Sequence, residues 1–418
     1  MTCSGGSAKP RRRPAAAAFS ASMFSRWPMT GHGKIDNATV LIRDGRIISV
    51  AAGGAAPGDA RIIDAKGAIV TPGLMNAATQ LGLVETGQAD ETNDMATTNA
   101  TLGAGFDIQY ALNADSVLLP VARADGLTRA VSYPSGSGSA PFTGQAAVID
   151  LNGGPEILDA AQAALYAQVG SNSLSGAGGS RAGQWQLLRN ALGDARDAVK
   201  PKDAKPTRDQ QAIARVLDGT VPLVILAQRE SDIRQAIALA KDFGIHVVIM
   251  GGDEAWRCAD ALAAAHIAVV LDPMDNLPIS FDQIGARLDN AARLDKAGVK
   301  TAFYSSGNTI YLSYNAGLGM REAAGLAVAN GMDYEHALAA MTRAPAEIFG
   351  IANHYGTLAP GMDADLVVWD GDPLEPSSAP TQVFVKGFEA SLVTRQTELR
   401  DRYYPAAKPG DLPAAYRK

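Results

Sequence analysis

The stretch Val70-Thr71-Pro72-Gly73-Leu74-Met75-Asn76-Ala77-Ala78-Thr79-Gln80-Leu81-Gly82 decides how this chain folds. A short apolar run leads into a Pro-Gly break, and a second run rich in small residues follows it. Proline and glycine interrupt regular structure, so the pattern predicts a strand that turns a corner and enters a second structural layer. The residues on the two sides of the break are therefore expected to belong to different units.

The residues before the corner predict a small all-β unit. In residues 38–50 two β-branched runs flank Asp44-Gly45, which is a strong hairpin signal, and residues 61–70 add a strand pair. Strand and turn patterns return near the other end of the chain, over 356–374 and 382–385. Neither end is large enough to be stable alone, so the two are predicted to pair into one β-sandwich.

The middle of the chain, about 72–350, alternates strand and helix patterns. Apolar strands separated by amphipathic helices favour a parallel sheet that is buried on both faces. The predicted strands are 127–133, 144–151 (as an excursion on the rim), 221–227, 246–250, 267–271 and 300–305, and the predicted helices are 155–168, 180–200, 207–217, 230–243, 254–265 and 281–297. The predicted fold class is α/β: a (β/α)8 TIM barrel with a small discontinuous β-sandwich built from both termini.

The predicted domains are a disordered leader over 1–34, the sandwich over 35–70 and 356–395, the barrel over 71–355, and a tail over 396–418. The leader is basic and Ala-rich, which is typical of disorder and also of an atypical export signal. If the leader is disordered, the sequence predicts a cytoplasmic protein. The alternative is that the leader is an export signal, which predicts a periplasmic protein.

Composition excludes several classes of protein. The formal net charge of −6 over 418 residues gives no reason to expect a nucleic-acid partner. No apolar run reaches about 18 residues, so no membrane span is predicted. Cys3 and Cys258 are too few for a disulfide framework.

The stretch around the corner also resembles the first barrel strand of the amidohydrolase superfamily. That strand reads Pro-Gly-Leu-Ile-Asp, one residue, His, one residue, His. Pro72 to Met75 fit this frame, and Asn76 replaces the aspartate. With Ala344 to Gly350 and the Gly356 to Leu374 signature, the resemblance covers about 35–395 and points to the imidazolonepropionase-like amidohydrolases. It implies a barrel that holds zinc or another divalent metal and hydrolyses carbon–nitrogen bonds other than peptide bonds.

The positions that hold the metal in that family carry other residues in this chain. The family places histidines at the ends of strands one, five and six and an aspartate at strand eight. The matching residues here are Ala78, Gln80, Leu226, Gly251 and Gly307. Alanine, leucine and glycine side chains cannot bind zinc, so the sequence predicts no metal site and no cofactor.

The five histidines, which are His32, His246, His266, His336 and His354, do not compensate for this loss. None follows a predicted barrel strand, and each is assigned a structural role. An oxygen-ligated cation in the acidic loop at Glu85, Asp90, Glu91 and Asp94 is a weaker alternative to a solvated loop.

Polar residues at or after the strand ends remain as site candidates. They are Gln80, Arg229, Glu254 and Asp272, predicted as pocket-lining groups.

Two functions stay open. One is a hydrolase of carbon–nitrogen bonds that is degenerate or independent of metal, and the alternative is a catalytically silent homologue. The partners expected are a small-molecule ligand and either a second copy of the chain or a ligand-complete paralogue.

Overall fold

The computed structural model describes residues 17–20, 35, 37–53, 57–58, 60–86, 89–99, 101–135, 141–198, 205–305 and 315–403. The strands are β1 Ala17–Ser20, β2 Ala38–Arg43, β3 Arg46–Ala52, β4 Arg61–Asp64, β5 Ile69–Pro72, β6 Leu74–Thr79, β7 Leu127–Ser132, β8 Phe142–Asp150, β9 Leu158–Gln168, β10 Leu223–Ala227, β11 Val247–Gly251, β12 Ala268–Leu271, β13 Thr301–Phe303, β14 Leu366–Trp369, β15 Pro380–Val385 and β16 Phe388–Glu389. The α-helices are α1 Leu118–Ala124, α2 Arg181–Ala198, α3 Arg208–Leu217, α4 Glu230–Phe243, α5 Ala259–Ala264, α6 Asn290–Lys296, α7 Leu318–Ala329, α8 Tyr334–Ala339, α9 Arg343–Ile348 and α10 Arg395–Tyr403.

Strands β6 to β13 form one eight-stranded sheet in chain order. The segment after α8 bridges its two ends, because Ala340 O accepts a hydrogen bond from Phe303 N at 2.9 Å and Met341 O accepts one from Met75 N at 2.8 Å. Alternate strand residues point inward and outward, so Val224 joins the barrel interior while Leu223 packs in the core that includes the helices. This nearly closed sheet confirms the prediction of an α/β barrel.

Two sequence-based assignments inside the barrel were wrong. Residues 155–168 were predicted to be helical, but Leu158–Gln168 is strand β9. It pairs with β8 and β10, and this pairing overrides the local helix preference. Strand β8 is not an excursion on the rim. It is the third barrel strand and runs antiparallel to both neighbours, so hairpins replace two of the usual crossover helices.

The corner at Pro72-Gly73-Leu74 joins the barrel to a β-sandwich. One sandwich sheet has the order β3-β2-β1-β4 and the other β16-β15-β14-β5, so β5 lies in the sandwich and β6 in the barrel. Residues from 40–70 and from 358–384 share one core between these sheets, as predicted. Its buried members are Val40, Ile42, Ile47, Ile63, Ala65, Val70, Leu358, Ala364, Leu366, Val368 and Phe384.

Four residues within the leader predicted over 1–34 lie in a strand. Ala17–Ser20 forms β1, which pairs antiparallel with β2 and parallel with β4. The other residues of 1–34 lie outside the described part of the chain. The predicted tail over 396–418 is helical in α10 up to Tyr403, and the rest of it is likewise outside.

An ionic network joins the barrel to the sandwich. The Arg129 side chain on β7 is fully buried and contacts four carboxylates. They are Asp150 at 3.3 Å, Asp159 at 3.1 Å, Asp363 at 3.1 Å and Asp365 at 2.6 Å. Burial alone would lower the pKa of Arg129, but Asp365, Asp150 and Asp159 raise it, so its guanidinium is held in the charged form. Lys386 adds a second cation, 2.6 Å from Asp150.

Helices long and apolar enough to cross a membrane do not occur in the described residues.

Candidate functional site at the barrel mouth

The mouth of the barrel lies where its parallel strands end, which is the face that carries the active sites of such barrels. The interior below it is apolar and includes Met75, Val131 and Met250. Tyr133 and Tyr166 belong to the same interior cluster, and their rings are stacked 5.1 Å apart between centroids. The mouth therefore presents an apolar floor and an aromatic wall.

Three tyrosine hydroxyls add hydrogen-bonding capacity to this wall. Tyr133, Tyr166 and Tyr304 are buried, and burial raises the pKa of each phenol above its ordinary value. The hydroxyl of Tyr166 has no hydrogen-bond partner within the described structure. All three phenols stay protonated at neutral pH and can donate to a ligand.

Asp253 is the most perturbed acid of the mouth, and the sequence analysis missed it. It follows Gly251-Gly252 at the end of β11 and is 3% exposed. Burial raises its pKa to about 7, a hydrogen bond with the Gln283 side chain opposes this, and the negative charges of Asp275, Asp272 and Glu254 add to the rise. Its Oδ2 atom is buried without a hydrogen-bond partner among the residues described. A carboxyl directly after two glycines at a barrel-strand end was the signal that could have found it.

Two of the predicted site residues lie in this same region. Gln80 is buried and its side chain hydrogen-bonds Tyr133. Asp272 is also buried, and it interacts electrostatically with both Asp253 and Tyr304. Its Oδ1 atom accepts a hydrogen bond from Met274 N at 2.8 Å, which fixes the start of the loop after β12.

The other two predicted residues stabilise the surrounding backbone. Glu254 is buried, and its carboxylate accepts hydrogen bonds from Glu230 N at 2.9 Å and Gly285 N at 2.8 Å. It thereby fixes the start of α4 to the loop after β12. Arg229 precedes α4 and donates from Nε to Ser231 Oγ at 2.7 Å. Both side chains make structural contacts.

The residues at the family's metal positions do not fit a metal. Ala78 and Leu226 have no donor atoms, and Gly307 lies outside the described residues. Gly251 has φ +87°, and a Cβ there would lie 2.6 Å from Gln228 Cδ. The Gln228 carboxamide therefore fills the space that a side chain at 251 would need. Across the described residues, no group of three or more His, Cys, Asp or Glu side chains could hold a metal ion.

Asn76, which replaces the family's aspartate, has a structural role. It is fully buried, donates from Nδ2 to Ala316 O at 2.8 Å, and accepts at Oδ1 from Ala78 N at 3.0 Å. Among the histidines, His336 contacts Asp295 at 2.7 Å and His354 contacts Asp159 at 3.3 Å. His32 lies outside the described residues.

Comparison with known proteins agrees with this architecture. Residues 223–393 match the model of the amidohydrolase family. A 57-residue segment is 47% identical to the amidohydrolase tasK of Hapsidospora irregularis, and the match spans 14% of this chain and only 6% of that protein.

Solved structures extend the likeness to most of the chain. An amidohydrolase from Thermotoga maritima MSB8 superposes with a TM-score of 0.80 at 24% identity, covering 90% of this chain and 99% of that one. An adenosine deaminase from Xanthomonas campestris with bound zinc superposes with a TM-score of 0.51 at 17% identity, covering 92% and 98%. Residues 223–393 therefore resemble the amidohydrolase family, and the solved structures show that the chain shares the fold of these proteins.

Proposed function

We propose that this chain is an amidohydrolase-fold protein without the histidine-held metal centre, whose barrel mouth binds a small neutral molecule. The observation that carries the proposal is the Gln228 carboxamide in the space next to Gly251, where the family places a metal-binding histidine. Ala78 and Leu226 offer no replacement ligand at the other positions. Zinc needs about three or four N, O or S ligands in a fixed geometry, and these residues cannot supply them.

The chemistry of the mouth supports a neutral ligand rich in acceptors. The phenols of Tyr133 and Tyr304 and the carboxyl of Asp253 are buried, and burial raises the pKa of all three groups. Their protonated forms donate hydrogen bonds, while Met75 and Met250 supply apolar contact. An amide or cyclic urea has carbonyl oxygens for the donors and little charge to desolvate.

A second function, hydrolysis without metal, is favoured by Asp253. A buried acid with a pKa of about 7 is suited to general acid catalysis near neutral pH. Water would add to the carbonyl carbon, the carbon–nitrogen bond would break, and Asp253 would give its proton to the leaving nitrogen. A proton from the attacking water would then restore the acid.

Metal analysis distinguishes these functions from metal-dependent hydrolysis. Protein purified without chelator is expected to contain substoichiometric zinc, manganese, cobalt and iron, because the mouth lacks their ligands. One equivalent of tightly held metal at the strand ends would refute the proposal.

In a thermal-shift screen, small cyclic amides are expected to raise the melting temperature whether or not metal is added. Turnover of such amides with metal excluded would support the second function.

Restoring a histidine at position 251 is expected to fail. Gly251→His should lower the free energy of unfolding by about 2–4 kcal/mol, through the left-handed backbone and the clash with Gln228. Adding Gln228→Ala should recover part of this loss, because it removes the clash and leaves the backbone strain. Chemical denaturation of the two variants, with metal content measured in parallel, tests this. A stable Gly251→His protein that gains metal would contradict it.

A further inference from the structure

A polar cavity lies on the outside of the barrel beside strands β8 and β9. Hairpins rather than crossover helices join β8 to its neighbours, so residues 105–110 and helix α3 cover the outer side of this part of the sheet. The cavity between them has a volume of about 470 Å³, which is within the range of small-molecule sites. Gln145 on β8 lines it, while the next residue, Ala146, faces the barrel interior. This outer cavity is therefore separate from the barrel mouth.

Backbone hydrogen bonds fix the walls of the outer cavity. Gln145 N donates to Phe106 O at 2.7 Å, which ties the covering segment to β8. Gly105 N donates to Asp209 Oδ1 at 2.6 Å, which ties the same segment to α3. Gly144 permits the close approach, because it has φ +126° and a Cβ there would lie 2.6 Å from Phe106 O. The cavity is preformed, so a ligand would not have to order its walls.

The Gln145 side chain is the feature that points to a ligand. It is only 6% exposed and it lines the outer cavity. Its carboxamide makes no hydrogen bond with any residue of the described ranges, although its backbone is fully paired into β8. A buried carboxamide without a partner lowers stability, so most such groups in proteins are paired. A bound molecule that reaches into the cavity would supply the missing partner.

A second carboxamide is oriented towards the same cavity by two charged groups. Gln162 lies within β9 with φ +50°, at the point where the register with β8 shifts. Its Nε2 atom donates to Asp107 Oδ2 at 2.7 Å, and its Oε1 atom accepts a hydrogen bond from Arg215. A left-handed backbone at a residue other than glycine costs free energy, and such costs cluster at functional sites.

The charges around the outer cavity are balanced. Arg208, Arg215 and Asp107 line it, and Asp209 binds the backbone at its edge. The formal charges of these four groups cancel, so neither a phosphate nor a metal ion is favoured by charge. Hydroxyl groups donate and accept hydrogen bonds, as carboxamides do. The walls therefore match a neutral ligand that carries several hydroxyl groups.

Tyr110 adds an aromatic ring at the rim of the outer cavity. The residue is 87% exposed, and it lies in a short 3₁₀ helix whose first turn is fixed by Asp107, which accepts from Gln109 N at 3.2 Å. A sugar ring has an apolar face of C–H groups and a rim of hydroxyls. An exposed aromatic ring packs against such a face, while polar side chains bind the hydroxyls. An open-chain polyol has no rigid face of this kind.

We propose that the outer cavity is a saccharide-binding site, in which Tyr110 packs against a sugar ring and the carboxamides of Gln145 and Gln162 bind its hydroxyls. The site lies outside the barrel mouth, so this proposal does not rest on the function proposed for the mouth.

Saturation-transfer NMR on the full chain tests the proposal with three disaccharides as probes, which are maltose, cellobiose and N,N′-diacetylchitobiose. At least one of them is expected to bind, while the open-chain polyol sorbitol and inorganic phosphate are not. Tyr110→Ala should raise the Kd of the bound sugar about 10-fold or more, because it removes the apolar contact. Tyr403→Ala is the matched control, since Tyr403 is also an exposed tyrosine, at 64%, and lies on α10. It should leave the Kd unchanged.

Gln145→Met gives a readout that separates binding from stability. Methionine has nearly the same size as glutamine and no carboxamide, so this variant should also raise the sugar Kd about 10-fold or more. The melting temperature of the sugar-free protein should rise at the same time, because the unpaired polar group is gone. A melting temperature that falls would contradict the assignment of Gln145 to a ligand.

Three results would overturn the proposal as a whole. One is the absence of binding for all three disaccharides, and another is sugar binding that survives both Tyr110→Ala and Gln145→Met. The third is binding of phosphate that these two variants abolish, because it would identify the outer cavity as an anion site.

Discussion

Replacing Arg129 by methionine is expected to lower the free energy of unfolding by about 3–5 kcal/mol, because it leaves buried carboxylates without their main cation. The guanidinium is fully buried and contacts Asp150, Asp159, Asp363 and Asp365. These residues belong to both the barrel and the sandwich, so the loss affects the junction on which both depend. Urea unfolding of the variant measures the effect.

The matched control for this prediction is Arg46→Met. Arg46 lies 2.9 Å from the same Asp363, but its side chain is 50% exposed. Removal of a solvent-exposed partner is expected to cost less than about 1 kcal/mol. Equal losses of unfolding free energy in the two variants would show that burial of the ionic network does not determine how much the network stabilises the fold.

The pH dependence of the Arg129 variant gives a second measurement. Burial raises the pKa of Asp365 to about 6, against the lowering effect of Arg129. Without Arg129 the pKa rises further, so the folded variant holds a proton that the unfolded chain has lost. Stability then increases as pH falls, and the deficit relative to wild type should be smaller at pH 5 than at pH 8. A deficit that grows on acidification would contradict this.

Replacing Asp253 by asparagine is expected to stabilise the protein by about 2–4 kcal/mol at pH 8. Burial raises the pKa of Asp253 to about 7 in the folded state, so ionising it there is unfavourable. Ionisation of Asp253 therefore lowers the free energy of unfolding of the wild type. This loss is absent below the ordinary aspartate pKa of about 3.9, grows up to about pH 7, and is constant above that. The asparagine variant cannot ionise at this position, so its gain in stability over wild type should develop between about pH 3.9 and pH 7 and vanish at lower pH.

Glu254→Gln is the comparison for Asp253→Asn, because it makes the same chemical change at the next residue. The Glu254 carboxylate accepts two backbone hydrogen bonds, from Glu230 N and Gly285 N. An amide can accept at only one atom, so this variant should lose about 1–3 kcal/mol. Unfolding curves from pH 5 to 8 should therefore shift in opposite directions. An Asp253→Asn protein less stable than wild type at pH 8 would show that the hydrogen bond with the Gln283 side chain outweighs the cost of burying the charge.

The regular part of the fold was readable from the sequence. Strands β10 to β13 are short apolar runs, and the sequence placed each of them to within about three residues. The same was true of the long amphipathic helices α2 and α4. Prediction failed for β9, where alanine favours a helix locally but pairing on both sides decides. It also failed over 281–297, where Phe281–Gln283 forms only a short 3₁₀ turn and the helix α6 begins at Asn290.

The candidate site was only partly readable. The prediction that the metal ligands are missing came from the sequence alone, because the frame around Pro72-Gly73 sets which positions to compare with the family. Gln80 and Asp272 were placed near the mouth because they follow strand ends. Glu254 follows a strand end too, but its carboxylate points to backbone amides, and no pattern in the sequence indicates where a side chain points.

The sequence by itself determined that this chain forms a barrel joined to a two-ended sandwich, because hydrophobic periodicity and the Pro-Gly corner are local properties. It also led to the prediction that the usual histidine ligands are absent, because residue identity at the aligned positions limits which donor atoms exist. Only the tertiary structure decided that Gln228 fills the space at Gly251 and that Asp253 is buried enough to hold a proton near pH 7. Both depend on which distant segments surround an atom, and this is a property of packing, since desolvation and steric exclusion arise only when those segments meet.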